Sequence, residues 1–553
     1  MSLGPALVAR LWRGLAQPAA YRFQRAIQAP EVTQRRVLAR LMKAQAGTRF
    51  AREHGLSEGL SFEEFQRRVP VRSADDYAPW LAAVERGEPR VLTSHPVRAL
   101  LPTSGSSAGR KLIPWTDQLG REFSAALGPW INDFMRASPE AWLGRAYWSV
   151  SPPAWPGERA ACGLPIGFAS DSAYVAAPLA GLIDRVLAVP PEVAQLTDAD
   201  AWSYVTLAFL LRADDLSLVS VWSPTFLLAL LAQLPVWWDR LLDDLATGQL
   251  HPPGHPPAPL LARLSARLGR HAGRARVLAR LGAQPDPKRI WPQWCAISCW
   301  CDASAQEPAR RLAAEFPQVR LWAKGLLATE GVVSIPMANA PAPALALTSH
   351  LLEFVDEEGA AHGAWQLRAG QTYRVVLTTG GGLYRYDLGD QVRVAGFYHA
   401  CPCVEFMGRA GVTSDLCGEK LAEPFVRRCL DEVTQKAGLE LPFALVAPEE
   451  QGGQSGYALF YCTELQGEVA WPRYLAEQVE LQLRTNVHYA HARNMGQLAP
   501  LRACRLAGSA RQMWLNYQQR LMADGLRAGD IKPAALSSRT GWRAALVARE
   551  EVD

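Results

Sequence analysis

Thr103-Ser-Gly-Ser-Ser-Ala-Gly-Arg-Lys111 is the stretch that decides the fold, because it combines hydroxyls, glycines and one cation in a short loop. Glycines let backbone N–H groups approach an anion closely, and serine hydroxyls donate further hydrogen bonds to it. These groups belong to Ser104, Gly105, Ser106, Ser107 and Gly109, with Lys111 as the nearby charge. The composition predicts a loop that holds a polyphosphate.

The flanks of this loop exclude the P-loop of kinases and GTPases. That motif places Lys directly after its second glycine, follows it with Ser or Thr, and opens a helix. Here Arg110 separates Gly109 from Lys111, and Leu112 follows. Residues 98–102 and 111–116 are strand-like, and a helix is expected only from Asp117. We expect strand–loop–strand, for which an ordinary hairpin turn is the alternative when the loop is taken alone.

A second cluster lies between residues 373 and 397. Residues 373–377 are β-branched and aromatic, a triple glycine at 380–382 makes a turn, and Val392 and Val394 alternate with polar residues as in a strand. Asp390 is expected at the junction of these strands, where a carboxylate can accept hydrogen bonds from the vicinal hydroxyls of a ribose. A hairpin with solvated charges remains the alternative.

A third cluster is Ala328-Thr329-Glu330-Gly331, which follows apolar residues and is expected at the end of a buried strand. The Thr329 hydroxyl can contact a phosphate oxygen. The Glu330 carboxylate can hold Mg²⁺, which prefers oxygen ligands and shared phosphates. A helix N-terminus or a turn is the alternative.

Taken in order, the three clusters resemble the nucleotide motifs of the Gretchen Hagen family, the acyl-acid amido synthetases of plants and their bacterial relatives. Further matching pieces run from about residue 35 to about residue 535. They include residues 69–71, 222–226, 290–293, 418–420 and 529–533. The chain is identified as a bacterial-type member of this family, within the adenylate-forming enzymes.

The resemblance implies a ligase that uses ATP and Mg²⁺. A carboxylic acid attacks the α-phosphate of ATP, giving an acyl-adenylate and pyrophosphate, and an amine, usually an amino acid, then takes the acyl group. Such a reaction needs charge neutralisation and positioning more than covalent help. The alternatives left open are an acyl-CoA-type ligase with a thiol acceptor and a non-catalytic binder of nucleotide or acid.

The resemblance also implies roles for individual residues. Lys532, Lys420 and Glu330 would be catalytic, with Glu330 at the metal or pyrophosphate and the two lysines orienting ATP and the adenylate. Besides the loop at 103–111, the nucleotide would be held by Thr329, Tyr384, Tyr386, Asp390 and Arg409. Many relatives have an aromatic residue on adenine where this chain has Leu326, and Trp322 could substitute for it.

The acid is less well defined. The candidates to line its pocket are Trp115, Tyr174, Trp222, Phe226 and Ala328. Indole-3-acetate, benzoates, cinnamates and aliphatic acids stay open, and so does the amine.

Length and composition agree with a globular enzyme of more than one domain. The chain has 553 residues, of which 49% are hydrophobic and 20% charged. We expect a mixed α/β fold, with a large adenylating domain over residues 1–415 that includes a barrel-like part. A smaller, mobile α+β domain would follow over residues 416–553.

The remaining expectations are mostly absences. A formal net charge of +5 is modest for this length and gives no reason to expect nucleic acid. No apolar run has the uninterrupted length of a membrane span, and the first residues lack the apolar core of a signal peptide. Of the ten cysteines, the pairs Cys299-Trp-Cys301 and Cys401-Pro-Cys403 are expected to be buried, reduced thiols, with metal binding or a redox switch as the alternative. We expect a cytoplasmic protein that is a monomer and does not bind a membrane.

Overall fold

The chain folds into two compact units in a computed structural model. The described residues are 4–102, 112–148, 158–167, 184, 186–282, 286–409, 413–414, 416, 419, 421–451, 454–463, 471–494, 497–524, 526 and 531–546. The first unit consists of Met1–Cys301, Ala309–Leu388 and Val392–Phe406, and the second of Asp302–Pro308, Gly389–Gln391 and Met407–Asp553. The expected boundary between residues 415 and 416 stays a prediction.

Helices dominate the first three hundred residues. They are α1 (Pro5–Ala26), α2 (Pro30–Gln45), α3 (Arg49–Glu53), α4 (Phe62–Arg68), α5 (Ala78–Glu85), α6 (Asp117–Ala137), α7 (Ala199–Arg212), α8 (Pro224–Leu231), α9 (Leu234–Thr247), α10 (Ala258–Leu268), α11 (Ala272–Ala279), α12 (Pro287–Ile290) and α13 (Gln306–Glu315). Helix α6 begins where the sequence predicts it, because the Thr116 side chain accepts the backbone N–H of Leu119 at 3.1 Å. Its buried face carries Phe123, Trp130 and Phe134.

The strands among the described residues up to position 409 form three sheets. They are β1 (Val97–Pro102), β2 (Leu112–Thr116), β3 (Arg145–Trp148), β4 (Leu216–Ser220), β5 (Ala296–Cys299), β6 (Arg320–Ala323), β7 (Ser334–Ile335), β8 (Ala344–Leu345), β9 (Leu351–Val355), β10 (Ala361–Gly363), β11 (Thr372–Thr378), β12 (Tyr386–Tyr398) and β13 (Cys401–Arg409). Strands β1 and β2 pair antiparallel, which confirms the two strands predicted on either side of residues 103–111.

Strands β3–β6 form a parallel sheet in the order β3-β4-β5-β6. At its carboxyl edge Trp148 pairs with Ser220, Ser220 with Ser298, and Ser298 with Trp322. Residues paired in this way project from the same face of a sheet. The row therefore presents two small hydroxyls between two indoles, on the edge where parallel sheets usually bind ligands.

The seven-stranded sheet has the order β10-β9-β11-β12-β13-β8-β7. Residues from the first part of the chain form hydrogen bonds to the segments that flank its strands. The Tyr77 hydroxyl donates to the Tyr384 carbonyl at 2.5 Å and accepts the Tyr384 N–H at 2.7 Å. The Gln34 amide donates to the carbonyls of Leu347 and His350 at 2.8 and 2.9 Å. Side chains near the start of the unit therefore complete hydrogen bonds more than three hundred residues away.

The connection between β11 and β12 turns at the triple glycine, as predicted. Gly382 has φ +103°, and a Cβ there would lie 2.7 Å from Leu92 Cβ, so only glycine fits. Asp390, however, lies within the continuous strand β12 and not at a strand junction. That expectation was wrong because Tyr386–Tyr398 pairs along its length in spite of Gly389, which has φ +71°.

The second unit is an α+β fold. Its elements are β14 (Thr413–Ser414), β15 (Leu421–Ala422), α14 (Glu423–Ala437), β16 (Phe443–Gln451), β17 (Gln454–Cys462), α15 (Trp471–Leu483), α16 (Val487–Asn494), β18 (Arg502–Arg505), α17 (Ala510–Ala523) and α18 (Trp542–Leu546). Strands β16 and β17 pair antiparallel, and β18 joins β17 in parallel. These elements agree with the α+β character expected for residues 416–553, and the mixed α/β class is confirmed.

Within the described residues, no single helix has the length and hydropathy of a membrane span. Helices α8 and α9 reach these limits only when taken together, and they are bent by 62° at their junction. Both contribute buried leucines to the core of the first unit.

Candidate functional site

Thr329 and Glu330 form the two-residue loop of a tight hairpin. The Ala328 N–H donates to the Gly331 carbonyl at 3.0 Å, and the Gly331 N–H donates back to the Ala328 carbonyl at 3.2 Å. Strand β6 ends at Ala323, so the expectation that the pair directly ends a buried strand was wrong, and the alternative of a turn holds. Glu330 is 4% exposed, whereas Thr329 is partly exposed.

Tyr386 connects this hairpin with the second predicted cluster. Its hydroxyl donates to Glu330 Oε1 at 3.4 Å, and its ring packs edge-on to Tyr77 at 5.6 Å. Two groups separated by 56 residues in the sequence thus meet in the first unit. Because the contact is long, it orients the carboxylate without neutralising it.

Tyr384 lies in the core. Its ring stacks on Phe50 with centroids 4.4 Å apart, and its hydroxyl donates to the Leu92 carbonyl at 2.9 Å. Burial raises the pKa of this phenol above its usual value. Of the two tyrosines predicted to line the nucleotide site, Tyr386 is the one that the structure brings to Glu330.

Asp390 follows four residues after Tyr386 on strand β12 and is 4% exposed. It belongs to the short segment Gly389–Gln391 of the second unit. A buried carboxylate needs hydrogen-bond donors, and the vicinal hydroxyls of a ribose are donors of this kind.

One buried ion pair, formed by the residue directly before β12, was not predicted from the sequence. Arg385 Nε donates to both carboxylate oxygens of Glu353 at 3.1 Å, and its Nη1 donates to the carbonyls of Gln66 and Val69 at 3.0 and 2.7 Å. The side chains of Arg385 and Glu353 are 6% and 1% exposed. Arg385 has φ +50°, which is unusual for a residue with a side chain. The sequence signal that could have indicated this pair is an arginine placed directly between two tyrosines.

A second pair of side chains that was not predicted from the sequence lies against the hairpin. His350 Nδ1 lies 3.1 Å from Glu122 Oε2, which also accepts the Gly380 N–H at 2.9 Å. A Cβ on Gly331 would lie 3.1 Å from His350 Nε2 and 3.2 Å from Leu377 Cδ1. The hairpin therefore packs closely on His350, and a side chain at position 331 would require His350 or Leu377 to shift.

Lys532 lies in the second unit on a segment that is tied down at several points. The Lys532 carbonyl accepts the Tyr517 hydroxyl at 3.1 Å. The Ala535 N–H donates to Glu423 Oε1 at 3.1 Å, and the Ala535 carbonyl accepts the Val446 N–H at 2.8 Å. The backbone of residues 532–537 is thereby held against β16, while the Lys532 side chain is partly exposed.

The candidates for the acid pocket have different surroundings. Trp115 and Phe226 are each 6% exposed, and they pack on Phe123 and Trp202 with centroids 5.0 and 5.5 Å apart. Trp222 and Ala328 are partly exposed. Of these four, Trp222 and Ala328 have surface that a small molecule can contact.

The aromatic residue proposed to replace Leu326 is engaged elsewhere. Trp322 packs on Phe134 at 4.5 Å and under the Arg320 guanidinium at 4.3 Å. Leu326 itself is 7% exposed. The adenine contact stays a prediction for both residues.

Several predicted residues lie outside the described part of the chain. They are Ser104, Gly105, Ser106, Ser107, Gly109, Lys111, Tyr174 and Lys420, together with the side chain of Arg409.

The fit of Mg²⁺ can be judged from Glu330. Among the described residues, no group of three or more His, Cys, Asp or Glu side chains could hold a metal ion. Mg²⁺ commonly binds through one or two carboxylates together with the phosphates of a substrate. A single buried carboxylate, oriented by a tyrosine hydroxyl, fits that arrangement.

The described cysteines are free thiols. Burial raises the pKa of Cys403 to about 11 and that of Cys401 further. Such thiols are unreactive near neutral pH, and Cys299, Cys401 and Cys403 are buried as expected, whereas Cys301 is partly exposed.

Comparison with known families and proteins places these clusters in a context. A model described as the GH3 family N-terminal domain matches residues 19–321, and one described as the GH3 family central domain matches residues 344–409. Over 441 residues the chain is 26% identical to indole-3-acetic acid-amido synthetase GH3.8 of Oryza sativa subsp. indica, which covers 73% of this chain and 70% of that protein. It is 23% identical over 438 residues to indole-3-acetic acid-amido synthetase GH3.4 of Arabidopsis thaliana, covering 73% and 71%.

A solved structure described as AtGH3.15 acyl acid amido synthetase in complex with 2,4-DB has a TM-score of 0.80. Its sequence identity is 18%, and the alignment covers 96% of this chain and 95% of that one. The fold is shared over nearly the whole chain.

Proposed function

Because the chain belongs to the GH3 family, the Gretchen Hagen family of acyl-acid amido synthetases, we propose that it is an ATP-dependent ligase that joins a carboxylic acid to an amine. The acid attacks the α-phosphate of ATP, which releases pyrophosphate and leaves an acyl-adenylate. The amine, an amino acid in the simplest case, then attacks the acyl carbon and releases AMP.

The observation that carries this proposal is the contact between Tyr386 and Glu330. It joins the Thr-Glu hairpin to the strand that holds Asp390, in the order and with the residue types of an adenylating site. A carboxylate held in this buried position could bind a cation together with the phosphates. That cation would neutralise the negative charge that builds up when pyrophosphate leaves.

Each residue has a defined part in the proposal. The Thr329 hydroxyl contacts the α-phosphate, and Asp390 accepts the ribose hydroxyls. Glu330 would hold Mg²⁺, which neutralises phosphate charge when bound. Lys532 and Lys420 orient ATP and the adenylate, and the loop at residues 103–111 holds the departing pyrophosphate with Lys111.

The acid pocket is proposed around Trp222 and Ala328. Trp115 and Phe226, which are buried against other aromatic residues, would support it from behind. The named relatives act on indole-3-acetic acid according to their names. An aromatic acid is the first candidate for this chain, and the amine acceptor is proposed to be an amino acid.

The test is acid-dependent formation of hydroxamate from ATP and hydroxylamine, measured over a panel of carboxylic acids. We expect wild-type activity with at least one acid and a fall of about 10²–10³-fold in Glu330→Gln. Tyr386→Phe should lose about 3–10-fold, since the 3.4 Å contact is long. The matched control is Glu358→Gln, an exposed glutamate of the same unit, which should not change the rate.

A second measurement identifies the acceptor. Product masses with amino acids and with coenzyme A distinguish an amide from a thioester. Normal ATP binding without hydroxamate from any acid would contradict the ligase.

A further inference from the structure

The carboxyl edge of the parallel sheet carries buried polar atoms that the proposed chemistry does not use. In the row Trp148–Ser220–Ser298–Trp322, Ser298 is 1% exposed and Trp322 is 6% exposed. Neither Ser298 Oγ nor Trp322 Nε1 has a hydrogen-bond partner among the described residues. Buried polar atoms are nearly always paired, so two adjacent exceptions indicate a missing acceptor.

Helix α6 supplies a third such atom from above the same face. Trp130 is 7% exposed, and its Nε1 is also without a hydrogen-bond partner in the described part of the chain. Phe134, one turn further along α6, packs on Trp322 at 4.5 Å. Helix α6 therefore packs on the Trp322 end of the row, and Trp130 lies one turn before that contact.

Lys324 connects the two sides of this face. Its ammonium donates to Ser220 Oγ at 2.8 Å and lies 5.5 Å from the Trp130 ring and 4.9 Å from the Trp222 ring. The face thus adjoins Trp222, the partly exposed candidate for the acid pocket. Its groups share one property, because an ammonium and an indole N–H only donate hydrogen bonds and a serine hydroxyl can donate one.

We infer that this face is a specificity subsite, in which Ser298, Trp130 and Trp322 bind an oxygen acceptor on the acid substrate that is remote from its reacting carboxylate. The acceptor is a hydroxyl, keto or carboxylate oxygen on an otherwise aromatic or apolar acid, and Lys324 adds positive charge beside it. The inference rests on the proposed function, since it assigns part of the acid pocket of that enzyme.

The reacting carboxylate itself fits this face poorly. It must attack the α-phosphate and lose its negative charge, so donors and a positive charge gathered around it would stabilise the ground state more than the transition state. An acceptor that stays unchanged during the reaction is bound equally well throughout. The subsite therefore selects the acid and leaves the chemistry to the nucleotide site.

The experiment compares pairs of acids that differ only in the acceptor. Suitable probes are benzoate with 4-hydroxybenzoate, 4-acetylbenzoate and terephthalate, and indole-3-acetate with 5-hydroxyindole-3-acetate. KM and kcat for hydroxamate formation are measured in wild type, Ser298→Ala and Trp130→Phe. Each variant removes one hydrogen-bond donor of the proposed subsite. The control, Trp80→Phe, removes an indole N–H that donates to Glu53 at 2.8 Å on the surface.

We expect wild type to prefer at least one acceptor-bearing acid over its plain partner. Each variant should raise KM for that acid about 10-fold, with less than about 2-fold change for the plain acid and for kcat. Calorimetric titration of the same acids without turnover should give the same ratios in Kd. Thermal melting checks that the variants are folded.

The outcomes separate the two proposals. If no acid gives hydroxamate, the proposed function fails, and calorimetry on the Ser298→Ala and Trp130→Phe variants still decides whether acceptor-bearing acids bind at this face. If hydroxamate forms but the variants change both members of a pair equally, the subsite inference is overturned and the buried atoms hold structural water only. If wild type shows no preference within any pair, the inference is overturned as well.

Discussion

Glu423, at the start of α14, accepts the backbone N–H of Ala535 at 3.1 Å and thereby ties the segment that carries Lys532 to the body of the second unit. The same carboxylate pairs with Arg427, and Glu423 is 5% exposed. A buried carboxylate that holds a backbone amide beside a proposed catalytic lysine is a positioning residue.

The Glu423→Ala variant should loosen residues 531–537 and lower kcat about 10-fold, because a lost hydrogen bond to a charged group costs about 1.5–3 kcal/mol. Hydrogen exchange over these residues should rise. The exposed Glu477, which pairs with Arg473 on α15, supplies the control variant Glu477→Ala. Unchanged exchange in Glu423→Ala would show that the other contacts suffice.

Gly331→Ala should destabilise the first unit by about 1–3 kcal/mol, since the new Cβ would meet His350 and Leu377 at 3.1–3.2 Å in a packed core. Activity should fall as well, because Glu330 precedes this glycine. The control is Gly14→Ala in α1, where nothing lies within 4 Å. That change should be neutral or slightly stabilising. Equal melting temperatures for the two variants would contradict the packing argument.

Arg385→Met should cost about 3–5 kcal/mol at pH 8, because it leaves the Glu353 carboxylate buried without its cation. Burial already raises the pKa of Glu353, even though Arg385 and Gln66 lower it. A carboxyl whose pKa is higher in the folded than in the unfolded state destabilises the fold while it is ionised. This penalty is removed as the pH falls through the folded pKa. The deficit should therefore shrink between pH 8 and pH 5, as urea unfolding can measure. Arg393→Met, at an exposed pair with Glu405, should change stability by less than about 1 kcal/mol.

Glu480 provides the opposite case in the second unit. Burial alone would raise its pKa, but hydrogen bonds from the Leu501 N–H, Tyr489, Arg493 and Arg484 outweigh burial and lower it. A lowered folded pKa means that the stabilisation is present above the unfolded value, about 4.3, and is lost as the pH falls through the folded one. Glu480→Gln should cost about 1.5–3 kcal/mol at pH 7 and clearly less near pH 3. An equal loss at both values would rule out this linkage.

The sequence was most informative where local chemistry acts alone. The strands on either side of residues 103–111, the start of α6 at Asp117 and the turn at Gly380–Gly382 were predicted from local residue patterns, and the family resemblance is confirmed. The site could be predicted as residue types in order. The meeting of Tyr386 with Glu330 could not, because hydrogen bonds between distant residues leave no periodic signal.

The missed residues share that reason. Arg385–Glu353 and His350–Glu122 are pairs of charged or polar side chains separated by 32 and 228 residues. Composition alone would place such residues on the surface. Asp390 was expected at the junction between the strand-like runs at 373–377 and 392–394, but β12 begins earlier, at Tyr386, and includes it.

The contacts of Tyr77 and Gln34 with residues 347–384 also determine how late during synthesis the first unit can complete its fold. A ribosome adds about 5–20 residues per second, so about 300 residues pass in some 15–60 s before these early side chains find their partners. Until then the first helices expose the apolar faces that later meet the seven-stranded sheet. A nascent chain stopped before residue 384 should be captured by chaperones, whereas one stopped beyond residue 409 should have the means to complete its first core.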